Sequence, residues 1–585
     1  MTARTTTELD TVADRYVDDL AEFSPSFAID LGRPLPSRAI EDFSAEGQAQ
    51  WLDLIERVQR EVDATTPVDH IDEVTTEALI QSLNIEQALL EAGEYLGELN
   101  NIASPVQSIR DGFTMMPQET AAQWDDIVRR VEAVASAYDE YRSALIDASE
   151  RGRFPTRVQV QAVIHDLGQQ VSNNNPFERM IDDLEQTEHA PEFLDRLRSA
   201  THQATGATRK FQAWLAETIA PQAINEDAVG RERYLLHSAQ FLGTRIDPDD
   251  TYAWAEEELA RIHTEQQTIV NDLYGEGTSV HEALKRLNDD PTYQVHGIAA
   301  LKKWMQETSD RAVEDLAGEH FTVTDDMRAL ECMISPAGDG GIFYTAPSDD
   351  FSRPGRMWWA VPPGQEIFHT WQEKTTVYHE GMPGHHMQLS RAVAQKDTLN
   401  SWRRNACWFS GHGEGWALYA EDLMDHLGYL SDPAERLGML DAQRLRAARI
   451  LVDIGVHLAK ERPSRTYLDR IGVSEEAYST ALSNSPYADL GASSAKEGIW
   501  DRNDVWAFMA TNVAMLPAFL QFETTRYLGW PAQASSYKVG QREWERARDD
   551  YLATNSGATL RDFHDEALGH GGLPLSALRT ALRLS

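Results

Sequence analysis

From Thr6 to roughly Gly318 the chain is one helical pattern after another. Apolar residues recur at spacings of three and four on a background rich in Ala, Leu, Glu, Gln and Arg. That period gives each helix one apolar stripe, which must be buried against other helices. Trp51 to Val62, Thr76 to Leu99 and Trp124 to Ala148 carry it most clearly. The interruptions are short and made of helix-ending residues: Arg33-Pro34-Leu35-Pro36, Ser104-Pro105, Phe154-Pro155 and Asn173-Asn174-Asn175-Pro176. No Gly/Ser-rich or Pro-rich linker separates the helices, and no fixed-period repeat is visible. The pattern predicts a mainly α protein in which residues 1–318 form an N-terminal helical part, continuous with the rest of the chain.

The texture changes at Phe321. Phe321 to Ile334, Gly341 to Ala346 and Arg356 to Val361 are short segments rich in aromatic and β-branched residues, bounded by Pro336-Ala337-Gly338-Asp339-Gly340-Gly341 and Ser352-Arg353-Pro354-Gly355. They predict a small sheet of about three strands. After Thr376 the helical pattern returns and holds to the end, so residues 319–585 read as a second part of the same structural unit.

The balance of charge narrows the partners. A net charge of −41, from 53 Lys and Arg against 94 Asp and Glu, argues against nucleic acid or an anionic membrane. Cys332 and Cys407 are the two cysteines, too few for a disulfide framework or a Cys-rich zinc knuckle. Met1 to Leu20 carries Asp10, Asp14, Asp18 and Asp19 and lacks the apolar core of a secretory signal, and no apolar run is long enough to span a bilayer. The expectation is a soluble, cytoplasmic protein.

The chemistry is concentrated in His379-Glu380-Gly381-Met382-Pro383-Gly384-His385-His386. In the H-E-x-x-H pattern two histidines four apart share a helical face and bind zinc, and the Glu between them serves as general base. Here the +4 position is Pro383. On a straight helix His385 lies about 9 Å and His386 about 10.5 Å along the axis from His379, too far to share one ion through bonds of about 2.0–2.1 Å. A metal site therefore requires the helix to break. Pro383 removes a helical hydrogen bond and Gly384 tolerates unusual backbone, so a local bulge there is expected. Extruding two residues returns His385 to the slot of a +4 ligand; His386 would need three. The alternative is a proline-kinked helix whose histidines have no common ligand.

A third ligand is expected on a following helix. Gly411-His412-Gly413-Glu414-Gly415-Trp416 offers Glu414, 29 residues beyond His385, with Gly413 and Gly415 permitting close approach to the metal helix. Glu421 stands one heptad further on the same face, and either Glu could instead be a solvated carboxylate. His412 is a candidate contact to substrate or to a ligand.

These residues carry a resemblance. Tyr378-His379-Glu380 through Pro383-Gly384-His385-His386-Met387-Gln388, then Glu414 to Glu421, Arg449 to His457, Trp530 to Gly540 and Gly572-Leu573-Pro574-Leu575 resemble the DUF885 family of bacterial proteins. That family is similar in fold to M32 carboxypeptidases and, more distantly, to M3 and M2 zinc peptidases. Ala532 departs from the pattern, standing where Gly is expected. The resemblance implies an elongated helical body with a deep central cleft, a metal helix on its floor and a small sheet along one wall. It favours His385 over His386, and implies Zn2+ held by His379, His385 and Glu414, with Glu380 as general base.

An oxyanion donor is implied late in the chain, and Tyr537 is the first candidate. Lys538 and Arg542 are candidates for a substrate carboxylate, Arg542 being the better suited to bidentate contact. Asp453 and His457, four apart on one helix, could orient a metal ligand or bond each other in the core. The expected function is a zinc-dependent metallopeptidase acting on short peptides. A non-catalytic, cleft-containing binding protein and a zinc amidohydrolase of non-peptide amides are the alternatives.

Overall fold

A computed structural model describes residues 4–584 except 114–115, 173–174, 336–340, 363 and 495. Most of the segment Pro336 to Gly341 and part of the break at Asn173 to Pro176 therefore lie outside the described residues. The chain folds as an elongated, mainly helical body. The expected helices are present as Ala45–Asp63, His70–Ala92 and Ala121–Glu150. The second stops short of Leu99 because Gly93 takes a left-handed conformation, φ +67°, and its N–H closes the last turn on Leu89 and Leu90. Starts are fixed by polar caps: Thr120 accepts from the N–H of Gln123, whose side chain returns to the cap backbone.

Three strands form the small sheet: β2 (Leu330–Ile334), β3 (Ile342–Thr345) and β4 (Gly355–Trp359). β4 is central, parallel to β2 and antiparallel to β3, so β3 is an edge. A second, two-stranded ribbon pairs β1 (Gln294–His296) with β5 (Ile367–His369). β1 lies within the stretch read as wholly helical. A three-residue strand whose partner is some seventy residues away leaves no period in the sequence.

The cores do not divide at residue 318. The largest cluster joins Leu9 and Val17 near the N-terminus to Leu451, Trp544 and Leu582 in the C-terminal part. A second cluster occupies residues 35–223, and a third lies beneath the small sheet around Leu330, Met357 and Trp359.

Two helices set the site. Ser410–His426, the glutamate helix, crosses Gln533–Thr554, the tyrosine helix, at unusually short range. A Cβ on Gly415 would lie 2.4 Å from the Gly540 carbonyl carbon, and one on Gly540 would lie 2.0 Å from the Gly411 oxygen. The expectation that Gly413 and Gly415 clear room for the metal helix is corrected here. Gly415 clears the tyrosine helix, and Gly413 clears the ring of Trp408, 2.2 Å from where its Cβ would stand.

Candidate metal centre

The helix bearing His379 and Glu380 runs from Thr370 to Glu380 and ends; a new helix, His385–Ala394, begins five residues later. The expected bulge at Pro383-Gly384 is thus a complete break over Gly381 to Gly384, containing a cis peptide between Met382 and Pro383. The Gly384 N–H reaches back to the Tyr378 carbonyl at 3.0 Å, and a Cβ on Gly384 would lie 1.9 Å from the His379 oxygen. Trp416 holds the break from the glutamate helix, its indole N–H donating to the carbonyls of Pro383 and Gly384.

This break brings His385 back to His379, with ring centroids 4.9 Å apart. His379 Nε2 and His385 Nε2 lie 3.2 and 3.5 Å from the same oxygen of Glu414, and one donor atom from each residue falls within 4.8 Å of the others. Bonds of about 2.0–2.1 Å to a tetrahedral ion would place its ligands about 3.3 Å apart, so the two measured edges are of the size such an ion would need. His379 Nδ1 lies 2.8 Å from Glu421, so a proton kept there would leave Nε2 free to hold a cation in place of its proton to Glu414. Glu421 also accepts from Thr375 Oγ1. Glu421 is thus not solvated: it is buried against His379 and Thr375.

The electrostatics suit a cation. Burial works against charge on Glu414, but hydrogen bonds from His379 and His385 hold its carboxyl well below the usual range. Burial likewise opposes charge on His379, and its bonds to Glu414 and Glu421 outweigh that and raise it to about 10. A shared cation would displace those imidazole protons. Glu380 is buried, its carboxyl is pushed up chiefly by that burial, and its Oε2 has no hydrogen-bond partner. An orphaned buried carboxyl oxygen is uncommon. Together with the N,N,O donor set it fits a metal and a water to be activated.

His386 faces the other way. Its Nε2 donates to the Met327 carbonyl at 2.8 Å, so Nδ1 accepts from Tyr344 of β3 at 2.8 Å. It ties the small sheet to the second metal helix.

Glu414 lines a cavity of about 1320 Å³. Tyr537 lines it too, as do Phe343 of β3, Trp408, Arg526 and Glu523. Tyr537 is therefore on the same cavity as the metal cluster. Its ring lies beside the guanidinium groups of Arg449 and Arg526, 4.9 and 6.0 Å from its centroid.

The structure sets the other candidates apart from the cavity. His412 is buried on the far side of the glutamate helix, Nδ1 against the Gln388 amide at 3.0 Å and its ring 5.0 Å from Trp544. Burial pushes it down to about 3. Lys538 is buried among Gln443, Gln541 and Glu258. Arg542 stacks on Trp254 at 4.6 Å. One residue along a helix turns the side chain by about 100°, and five residues leave it about 140° away after one full turn, so neither cation shares the face of Tyr537.

Asp453 accepts from the Ala532 N–H and from Tyr234, and His457 bonds the carbonyls of Asp227 and Tyr527. Both serve the core. Ala532 has φ +67°, which explains why glycine is expected there: the turn into the tyrosine helix is left-handed. What sequence reading missed is Arg449, Glu523 and Arg526, three charges on two helices brought together beside the cavity, which Glu523 and Arg526 line. Arg449 lies within the stretch Arg449 to His457 that carries the family resemblance, but its two partners lie outside every such stretch.

A search of curated proteins finds no match. Two solved structures share the fold over 98% of this chain and 98% of their own. One is a Colwellia psychrerythraea protein described as a "putative lipoprotein", 20% identical with a TM-score of 0.81. The other is a Shewanella oneidensis protein described as a "putative lipoprotein of unknown function", 16% identical with a TM-score of 0.68. Residues 25–582 match the model of a family described as bacterial proteins of unknown function, DUF885, and the chain belongs to that family.

Proposed function

We propose that this protein is a zinc-dependent metallopeptidase hydrolysing short peptides. One observation carries the reading: three donor atoms of His379, His385 and Glu414 converge within 4.8 Å, next in sequence to the orphaned carboxyl of Glu380 and on a cavity that also holds Tyr537. Zinc bound by the three donors supplies Lewis acidity, lowering the pKa of water to about 7 and polarising a carbonyl. Glu380 takes the proton of the attacking water and delivers it to the leaving amine. Burial, which raises its proton affinity, suits it to both steps. Tyr537 donates its hydroxyl proton to the oxyanion. The M32, M3 and M2 zinc peptidases supply an analogy of fold and ligand order, and such an analogy carries no activity by itself.

Zinc assay of the purified protein with a peptide-library digest of wild type and Glu380→Gln tests this. Stoichiometric zinc is expected in both, with turnover falling about 10²–10⁴-fold in the variant. Failure to bind zinc after reconstitution overturns the metallopeptidase and amidohydrolase readings and leaves a binding protein. Zinc with hydrolysis of non-peptide amides alone replaces peptide by another amide as substrate.

No helix among the described residues is long and apolar enough to cross a membrane. Residence in the cytoplasm is part of this proposal. The lipoprotein description of both structural neighbours points the other way. Cell fractionation with a globomycin-treated control decides it.

A further inference from the structure

A tryptophan left in water forfeits a large apolar burial, and of the fifteen in this chain Trp408 is the one that stands exposed, at 49%. Its backbone explains how. The short helix Trp402–Ala406 ends at Cys407 and the glutamate helix begins at Ser410, with extended backbone at both Cys407 and Phe409. Extended chain turns alternate side chains to opposite sides. Cys407 and Phe409 go into the main core, and Trp408 is thereby turned out into the cavity that Glu414 and Tyr537 line.

The indole has a seat prepared for it. Its six-membered ring lies against Gly413, 2.2 Å from where a Cβ would stand, so glycine near the start of the glutamate helix leaves the room it occupies. Its neighbours are held just as closely. A Cβ on Gly572 would lie 1.9 Å from the Cys407 carbonyl oxygen, and one on Gly243 would lie 2.9 Å from the Phe409 ring. From this seat the indole stands 6.1 Å from the imidazole of His385, centroid to centroid, with the two planes tilted by 54°.

The neighbouring metal centre decides which chemistry suits the exposed face. An indole attracts the cationic heads of Lys and Arg as well as apolar groups. In the reading proposed above, however, this face stands beside a divalent cation whose charge Glu414 offsets only in part, so a second cation is repelled. An apolar or aromatic side chain meets no such repulsion and gains from covering the ring. Reach selects its place in the substrate. Consecutive Cα atoms are about 3.8 Å apart, so with the scissile carbonyl held at the metal the residues that flank the cut bond bring their side chains to this ring.

We propose that Trp408 is the specificity platform of the site, stacking on a large apolar or aromatic side chain of a residue that flanks the cut bond. The inference rests on the metallopeptidase reading above and names the residue class it prefers.

The test uses the zinc-loaded full chain and peptides acetyl-Ala-Ala-X-Ala-Ala, with X as Phe, Leu, Lys or Ala. Cleavage on either side of X is followed by mass spectrometry, and binding to the Glu380→Gln protein is measured separately by calorimetry. The Phe peptide is expected to exceed the Ala peptide about 10–100-fold in kcat/KM, with Leu between them and Lys no better than Ala. Trp408→Ala should abolish the preference at undiminished zinc content, and Trp408→Phe, which keeps a ring, should retain part of it. Gly413→Ala should weaken the preference with the indole still present, because the new Cβ displaces the ring from its seat. Equal handling of Phe and Ala by wild-type protein overturns the platform without need of any variant. So does a preference for Lys over Phe, or a Phe preference that survives in Trp408→Ala; each of these leaves the peptidase reading standing. Tighter binding of the Phe peptide, lost when Trp408→Ala is added, with no turnover of any peptide by wild-type protein keeps the platform and overturns the peptidase reading instead.

Discussion

The two ionic clusters on the cavity are built around opposite signs. At the metal helix Glu414 and Glu421 face the imidazoles of His379 and His385, with Glu380 buried beside them; at the neighbouring wall two guanidinium groups share Glu523. Arg502, by contrast, has a single partner of opposite sign, Asp227 at 2.9 Å, with neither side chain exposed. Burying charge is costly, and a pair in good geometry offsets that cost; an odd number does not. The balanced pair is explained by folding alone. For the cluster at the metal helix, the proposed function supplies a cation from outside as the further partner.

The sharpest way to break the comparison is Glu523→Gln, which leaves two buried guanidinium groups facing each other. It should cost about 3–5 kcal/mol in denaturant unfolding while zinc content stays unchanged. A loss below about 1 kcal/mol would mean that the cluster is solvated. Tyr537→Phe removes one donor at the junction of the two clusters and should lower kcat about 100-fold with KM little changed. A rise in KM alone would assign the phenol to binding rather than to the oxyanion. Glu421→Gln weakens the orienting bond to His379 and should reduce zinc affinity about 10–100-fold in chelator competition. Unchanged affinity would make Glu421 a packing residue.

The metal cluster was largely legible in the sequence because its logic is local. His379, Glu380 and His385 lie within seven residues, and the proline and glycine between them announce the break that their distances on a straight helix demand. Even so, the sequence suggested a bulge where the helix in fact ends. Glu421 was read as an alternative to Glu414, because a heptad spacing does not distinguish a ligand from the residue that orients a ligand. The guanidinium cluster was illegible for a different reason. Arg449 and Arg526 are 77 positions apart on separate helices, and arginine on a helix is ordinarily a solvated residue. Lys538 and Arg542 were nearer to Tyr537 along the chain, yet each turns to a different helix face and finds Gln443 and Glu258, or Trp254.

By itself the amino-acid sequence determined that this chain is mainly helical, that a short sheet precedes the metal helix, and that His379 and His385 can meet only across a broken helix. These follow from period, turn chemistry and the fixed rise of a helix, all of which act over a few residues. Tertiary structure alone decided that Glu421 backs His379, that His386 serves the sheet, and that the cation on the cavity wall is Arg526. Those choices depend on which helix faces meet, and the meeting is set by glycines such as Gly415 and Gly540, whose importance shows only when two backbones come within contact.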